Sequence, residues 1–369
     1  MVDSKRSLTP IRRQPWDWQT RNEYEEVTVR EQPYLHGHYR NKYYKSDHDI
    51  YDPRYTALRS SNWDAFRDPK KYWYTPYVHS RKKLADSVTE VFDRARRLGI
   101  YYTIREPWKS FSAQLYIPLR HYEYAGALQL QHVIRYAMGC PIEQCATYTA
   151  FDKQGRSQWL TEWGITFPGN ETDTALQPSK QMWMEHESFR KLREYMEKLL
   201  VIEDWAEVIV ASHLTIEPLL GRLVYGNLNS TALQYGDVII PQLSLVCQDE
   251  LMWEEQWTQK FIEFIVNDPV TNRWEYLQSL GYADWPGDYR WGNTLSDPRQ
   301  TPEDPRSNRE IVSEWMNQWL ATAIAAIQPL QMLFDEHGIQ YEVQDSIDSV
   351  IEETLIPFIK KMNLENVQV

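Results

Sequence analysis

The sequence has few of the residues that make turns and covalent cross-links. Glycine provides 14 of 369 residues, whereas tyrosine and tryptophan provide 24 and 16. Few glycines and many large rings argue against a turn-rich β protein and against a disordered chain, and they favour long packed helices. The three cysteines form no disulfide framework, which suits a reducing, cytoplasmic setting.

Positive charge, long apolar runs and a secretory leader are also lacking. The 40 basic residues are outnumbered by 52 acidic ones, which gives a net charge of −12. An acidic chain is a poor match for a phosphate backbone, so we expect no nucleic-acid partner. No run of about 18 apolar residues occurs, so we expect no membrane span. The first residues have no apolar stretch of the secretory type, and we expect a cytoplasmic protein.

Motifs for nucleotide binding, serine hydrolysis and metal binding are absent. There is no G-x-x-x-x-G-K-[ST], G-x-G-x-x-G or G-x-S-x-G. Cys140 and Cys145 have no second cysteine pair to complete a zinc site. A carboxylate-bridged di-iron bundle needs two Glu-x-x-His motifs, yet none of the nine histidines follows a Glu or Asp by three positions. The sequence therefore predicts no metal ligands and no catalytic residues in this chain.

Two groups of carboxylates leave an acid–base enzyme open as an alternative. The first is Glu203 and Glu207 followed by His213 and Glu217. The second lies in a later segment and contains Asp249, Glu250, Glu254 and Glu255. Carboxylate runs on long helices are usually solvated faces or ion pairs between helices, which is the interpretation we favour.

The chain divides by composition into an arm and a helical body. Residues 1–60 are rich in Pro, Tyr and Arg without a helical period, and predict an extended N-terminal arm. Because so many rings are unusual in a solvated tail, we expect the arm to lie on a surface of this chain or of a partner. Residues 61–369 predict one helical-bundle domain with a long irregular loop at 267–307, where turn signals cluster.

Apolar residues at helical spacing predict the helices of the body. Gly99 is a stop signal for the first of them, and Ser307 with Asn308 is an N-cap pair for a later one. The predicted spans are 81–98, 118–138, 141–163 with an interruption near Gly155, 188–221 as one or two helices, 231–265, 308–327, and 341–362 with a kink or a break at Pro357.

Five further motifs occur in order along the chain. They are Trp63, Phe66, Asp68 and Pro69; Pro118, Arg120 and Glu123; residues 146–152 with 159–161; Asp204 and Trp205; and Asn308 and Arg309 with Trp315 and Trp319. Together these motifs resemble the β subunit of the hydroxylase of bacterial multicomponent, soluble di-iron monooxygenases, the group that includes phenol, toluene, alkene, alkane and methane monooxygenases. The resemblance is strongest to the phenol hydroxylase branch.

The resemblance implies an all-α, ferritin-like (ribonucleotide reductase-like) helical bundle that binds no cofactor itself. In that family the di-iron centre lies in the α subunit. Where an α subunit would have Glu-x-x-His, this sequence has Lys153 and Arg156, and Trp253 stands where a second His would be. A charged lysine or arginine offers no lone pair to a metal, and the indole nitrogen is a donor only. We therefore carry over no catalytic, metal or cofactor-binding residue.

The resemblance also implies the partners of the chain. These are α and γ subunits in an (αβγ)2 hydroxylase, a small coupling protein, and a flavin and iron–sulfur reductase that delivers electrons from NADH. Hydroxylation of a phenol- or toluene-type aromatic in the α subunit is the expected reaction, and a short alkane or alkene is the alternative. An interaction protein without an enzyme partner is the remaining alternative from another class.

Overall fold

Every regular element in the described part of the chain is helical, which confirms the predicted all-α class. The structure is a computed structural model, and it describes residues 23–29, 55–60, 62–166, 176–268, 306–364 and 366–368. The helices pack around one continuous apolar cluster in which many of the tryptophans are fully buried.

The helices of the described residues are numbered in chain order. They are α1 (Tyr74–Leu98), α2 (Trp108–Tyr136), α3 (Cys140–Thr166), α4 (Leu176–Glu185), α5 (Glu187–Leu199), α6 (Trp205–Gln234), α7 (Ile239–Val266), α8 (Asn308–Ile327), α9 (Gln331–His337) and α10 (343–362).

The first three helices are longer than the sequence indicates. α1 begins seven residues before the predicted start and ends as predicted, with Gly99 in the left-handed region at φ 63°. α2 begins ten residues before Pro118, which therefore lies inside the helix and not at its start. The buried stripe around Pro118 offsets the lost backbone hydrogen bond. α3 runs without interruption through Gly155, contrary to prediction.

The predicted span 188–221 forms two helices, and the second extends further than expected. α6 is capped by Asp204, whose side chain accepts from the backbone N–H groups of Ala206 and Glu207. Two π-helical stretches interrupt α6, at Val210–Ile216 and Leu223–Asn227. Such widened turns often occur at functional sites, because they change the direction in which side chains point.

The C-terminal helices match their predicted signals well. Ser307 caps α8 in a reciprocal pair with Glu310. α10 contains the π-helical stretch Ile351–Leu355, and Pro357 lies in the first turn after that stretch. The chain is helical on both sides of Pro357, so no break occurs there, although proline lacks the N–H that another residue would donate.

The arm and the loop are described only in part. Within the arm, Glu25–Val29 form a π-helical turn, which the sequence does not indicate, and Tyr24 and Tyr55 are buried. Thr28 Oγ1 donates to Gln144 Oε1 of α3 at 2.9 Å. The rest of the predicted arm, and residues 269–305 of the predicted loop, lie outside the described residues.

α6 is long and apolar enough, by length and composition, to cross a membrane. In this protein, however, 89% of its most apolar window is buried among other helices. α6 is therefore placed as the central helix of the bundle, and it carries part of the site described next.

Candidate functional site, a buried ion-pair cluster

The centre of the bundle holds charged side chains instead of apolar ones. Arg156 of α3 is 1% exposed, and its guanidinium faces carboxylates from three other helices. Its Nη1 donates to Glu254 Oε1 at 2.8 Å and to Glu250 Oε2 at 3.2 Å. Its Nε lies 3.1 Å from Glu123 Oε2, and its Nη2 lies 3.6 Å from Glu217 Oε1. Four carboxyl groups thus surround one cation.

Lys153 provides the second cation, one helical turn before Arg156. Its Nζ donates to Glu217 Oε2 at 2.5 Å and lies 3.5 Å from Glu123 Oε2. The ammonium also lies 5.2 Å from the ring centroid of Tyr122. Gly126 of α2 makes room for this side chain, since a Cβ there would come within 2.8 Å of Lys153 Cδ. We name Glu123, Lys153, Arg156, Glu217, Glu250 and Glu254 the ion-pair cluster.

Two tyrosines complete the hydrogen bonding of the carboxylates. Tyr122 Oη donates to Glu217 Oε2 at 2.7 Å, and Tyr225 Oη donates to Glu123 Oε1 at 3.0 Å. Burial raises the pKa of both phenols well above the usual value, with the neighbouring carboxylates adding to the effect. Both hydroxyls therefore keep their protons and act as fixed donors.

The cluster contains more carboxyl groups than cations, and the protonation of the carboxyl groups responds to this. Burial raises the pKa of Glu250, and the charge of the neighbouring Asp152 raises it further. Burial also opposes ionisation of Glu217, but Lys153 and Arg156 outweigh it and hold the pKa of Glu217 down to about 2. Glu217 is thus the carboxylate most firmly ionised, and Glu250 is the one best suited to hold a proton.

A second ion pair adjoins the cluster on the side of α1. Arg81 binds Asp152 with two hydrogen bonds of 2.7 and 2.5 Å, and Tyr77 Oη donates to the same carboxylate at 2.8 Å. The guanidinium carbon of Arg81 lies 5.4 Å from the ring centroid of Trp253. The indole N–H of Trp253 donates to Asp68 Oδ1 at 2.8 Å and not to the ion-pair cluster.

His213 lies beside the cluster in the first π-helical stretch of α6. Ser212 Oγ donates to the carbonyl of Val208, so the 2.7 Å contact between Ser212 Oγ and His213 Nδ1 is a bond donated by the imidazole. This assigns the proton to Nδ1. Burial lowers the pKa of His213 to about 3, and the nearby Lys153 acts in the same direction. The imidazole is therefore neutral over the ordinary pH range.

The arrangement does not fit a metal ion. Carboxylates from several helices are the donors of a di-iron bundle. Here, however, the ammonium of Lys153 and the guanidinium of Arg156 lie between the carboxylates at 2.5–3.6 Å. A metal would meet two fixed positive charges, and neither group offers it a lone pair. Within the part of the chain that the structure describes, no three His, Cys, Asp or Glu side chains form a metal-binding group.

The first acid–base grouping considered from the sequence is not assembled into one site. Glu203 is exposed. Glu207 Oε1 accepts from the indole N–H of Trp319 on α8 at 2.8 Å, whereas the ring of His213 lies 5.6 Å from that of Trp257 on α7. Glu207 and His213 therefore face different helices. In the second grouping, Glu250 and Glu254 are ion-paired to Arg156, as our preferred interpretation of these carboxylates predicts.

The residues of the first motif connect the N-terminal segments to the bundle. Trp63 packs edge-on against Trp205 with ring centroids 5.4 Å apart, and Phe66 packs against Phe261 at 6.1 Å. Asp68 accepts from the backbone N–H of Tyr72 at 2.6 Å, in addition to the bond from the indole of α7 described above. Pro69 is exposed.

The remaining motif residues also join separate elements, and one of them enters the cluster. Glu123 is that residue, whereas Arg120 donates to the carbonyl of Leu176 at 2.9 Å. Asp204 accepts from the backbone N–H of Ala57 at 2.6 Å while it caps α6.

At the start of α8 the amide of Asn308 bridges two segments, donating to the carbonyls of Arg59 and Ile265 at 2.6 and 2.8 Å. Arg309 donates to the carbonyl of Val266 at 3.4 Å, and Trp315 is 8% exposed.

The sequence and the helical fold place the chain in a class of hydroxylase proteins. Residues 42–269, more than half of the chain, match the family described as methane/phenol/alkene hydroxylase. The chain belongs to this family.

Individual relatives agree with this assignment. The chain is 26% identical over 307 residues to the oxygenase component of phenol 2-monooxygenase from Acinetobacter pittii, a match that covers 83% of this chain and 81% of that protein. It is 25% identical to the hydroxylase β subunit of the toluene-4-monooxygenase system of Ectopseudomonas mendocina, over 58% of this chain and 66% of that one.

A solved structure shares the fold. The chain superimposes on a structure of phenol hydroxylase from Pseudomonas sp. OX1 with a TM-score of 0.73, at 23% identity, covering 93% of this chain and 90% of that one. This confirms the ferritin-like helical bundle. The protein is accordingly a hydroxylase component of a multicomponent monooxygenase and a member of a multi-subunit assembly.

Proposed function

We propose that this chain is the non-catalytic β subunit of its hydroxylase. The observation that carries the proposal is the position of Lys153 and Arg156, which fill the centre of the bundle with positive charge where a catalytic subunit would need metal ligands. The relative named a β subunit, from the toluene-4-monooxygenase system, supports the same role. Such a subunit contributes surface and rigidity to the assembly and leaves oxygen chemistry to a larger α subunit.

The proposed assembly is an (αβγ)2 hydroxylase in the cytoplasm. Its α subunit would hold the di-iron centre. A flavin and iron–sulfur reductase would deliver electrons from NADH, and a small coupling protein would control the reaction. Large apolar side chains remain exposed on α1 to α3, including Tyr74, Tyr124, Leu128 and Phe151. Exposed rings of this kind are typical of permanent interfaces.

For the substrate we propose an aromatic compound of the phenol or toluene type. The support is the similarity to a phenol 2-monooxygenase component. A short alkane is the second candidate, because the small subunit of propane 2-monooxygenase from Rhodococcus jostii is 22% identical over 85% of this chain. Measuring hydroxylation of an aromatic compound and of a short alkane by the assembled enzyme would distinguish these two candidate substrates.

The experiment is to express the chain alone and together with the proposed α and γ subunits. With reductase, coupling protein, NADH and oxygen, we expect the co-expressed complex to hydroxylate phenol and the isolated chain to be inactive. Activity of the isolated chain would contradict the proposal.

A variant of this chain separates the proposal from the acid–base alternative. Glu207→Gln keeps an acceptor for the indole of Trp319 but removes the ionisable group. We expect the complex with this variant to assemble and to turn over at the rate of the unsubstituted complex. Loss of turnover in an intact complex would favour the acid–base enzyme.

A further inference from the structure

The ion-pair cluster combines a donor set that suits metal ions with cations that exclude them. Carboxylates come from α2 (Glu123), α6 (Glu217) and α7 (Glu250 and Glu254), and all four are at least 94% buried. The cations come from one face of α3, three positions apart, which is the spacing of a Glu-x-x-His pair. Two side chains of α3, Lys153 and Arg156, are therefore the main reason that the cluster does not suit a metal ion.

We propose that Lys153 and Arg156 are the internal counter-ions that replace metal ions in this bundle, and that exchanging them for Glu and His converts the cluster into a site for a divalent cation. The inference rests on the proposed function, because each requires that the unsubstituted chain binds no metal. It goes further by assigning to these two residues the charge balance that metal ions provide elsewhere.

The contacts show that the cations are held as fixed parts of the cluster. Lys153 packs against Gly126 of α2, where the Cβ of a larger residue would lie 2.8 Å from Lys153 Cδ. Arg156 spans all four carboxylates from a single position. Removing either cation leaves four buried carboxyl groups with a single cation, which is far more costly than the loss of an exposed pair.

A path for an incoming ion is also present. A cleft of about 490 Å³ lies between α6 and α7, and its lining includes His213, Glu217 and Glu254. Leu245 and Met252 belong to the same lining and are exposed, so the cleft reaches from the surface to one side of the cluster. Of the carboxylates in the ion-pair cluster, Glu217 and Glu254 line this cleft.

The counter-ion role is tested by compensation in the full-length chain. Lys153→Met should lower Tm strongly, whereas Lys153→Met combined with Glu217→Gln should recover part of the loss because the unpaired carboxylate is gone. The matched control is the exposed pair of Lys82 and Asp86 on α1, 2.6 Å apart, where Lys82→Met should change Tm little. A double variant no more stable than the single one would overturn the counter-ion role.

The conversion is tested by metal binding. We expect the Lys153→Glu, Arg156→His variant, titrated with Co²⁺, to bind at least one ion per chain with visible d–d absorption and to gain Tm or helical circular dichroism on binding. The unsubstituted chain should bind no Co²⁺, and neither Co²⁺ nor a chelator should change its Tm.

The possible failures are distinguishable. If the substituted variant neither binds Co²⁺ nor folds in its presence, the proposed conversion into a metal site is wrong. The proposed subunit role is unaffected by that result. Stoichiometric metal in the unsubstituted chain overturns the inference and the proposed function together.

Discussion

Lys153 and Arg156 can be recognised as unusual from the local sequence, whereas their carboxylate partners are known only from the fold. Both belong to a stripe of α3 whose other members, including Thr149, Leu160 and Trp163, are buried. Two cations in such a stripe are a detectable signal, because long charged side chains are rarely buried unless they are paired. Their partners could not be predicted, since Glu123, Glu217 and Glu254 are 30 to 98 positions away in sequence.

His213 is the residue whose titration the structure predicts most clearly. Its folded pKa of about 3 lies below the ordinary value of 6.5, so the folded protein keeps the imidazole neutral. Between these pH values the unfolded chain binds about one more proton, and stability falls as pH falls below 6.5. From this group alone we expect a loss of roughly 2 kcal/mol between pH 7 and pH 5.

Urea unfolding of His213→Gln at pH 7 and pH 5 measures that share. The variant should be less sensitive to this pH change than the unsubstituted protein. His79→Gln is the control, because His79 is an exposed histidine on α1. An unchanged pH dependence in His213→Gln would show that the imidazole is already charged in the folded state.

At the scale of the helices, periodicity and end signals predicted most of the elements. The stop at Gly99 and the cap at Ser307 are correct, since each depends on a few neighbouring residues. The errors have tertiary causes. Pro118 is accommodated inside α2 by burial, and the π-helical stretches of α6 break the 3.6-residue period on which prediction depends.

Two helical glycines provide a matched test of how α2 and α3 pack. In Gly126→Ala the new methyl group would collide with Lys153 Cδ, whose ammonium is held by Glu217, so the free energy of unfolding should fall by about 1–3 kcal/mol. In Gly155→Ala the added Cβ has no neighbour within 4 Å, and helix propensity alone should stabilise the protein by up to about 1 kcal/mol.

Chemical denaturation followed by circular dichroism measures both variants. If the two alanine substitutions changed the free energy of unfolding equally, the absence of a side chain at Gly126 would not be needed to accommodate Lys153.

For the whole molecule, the structure is a ferritin-like helical bundle with an ion-pair network at its centre. Composition and motif order were enough to predict the helical class, which the fold comparison confirms, and the family, which the family match confirms. Which surfaces meet a partner could not be predicted from one chain, because an interface depends on two sequences. We propose that this chain has a structural role and that the oxygen chemistry takes place in another subunit of the assembly.

The location of iron in the assembled hydroxylase tests that claim most directly. An anomalous difference map of the crystalline complex, recorded above and below the iron K edge, should show iron within the larger subunit. It should show no peak among Glu123, Lys153, Arg156, Glu217 and Glu250 of this chain. An iron peak within this ion-pair cluster would contradict the account.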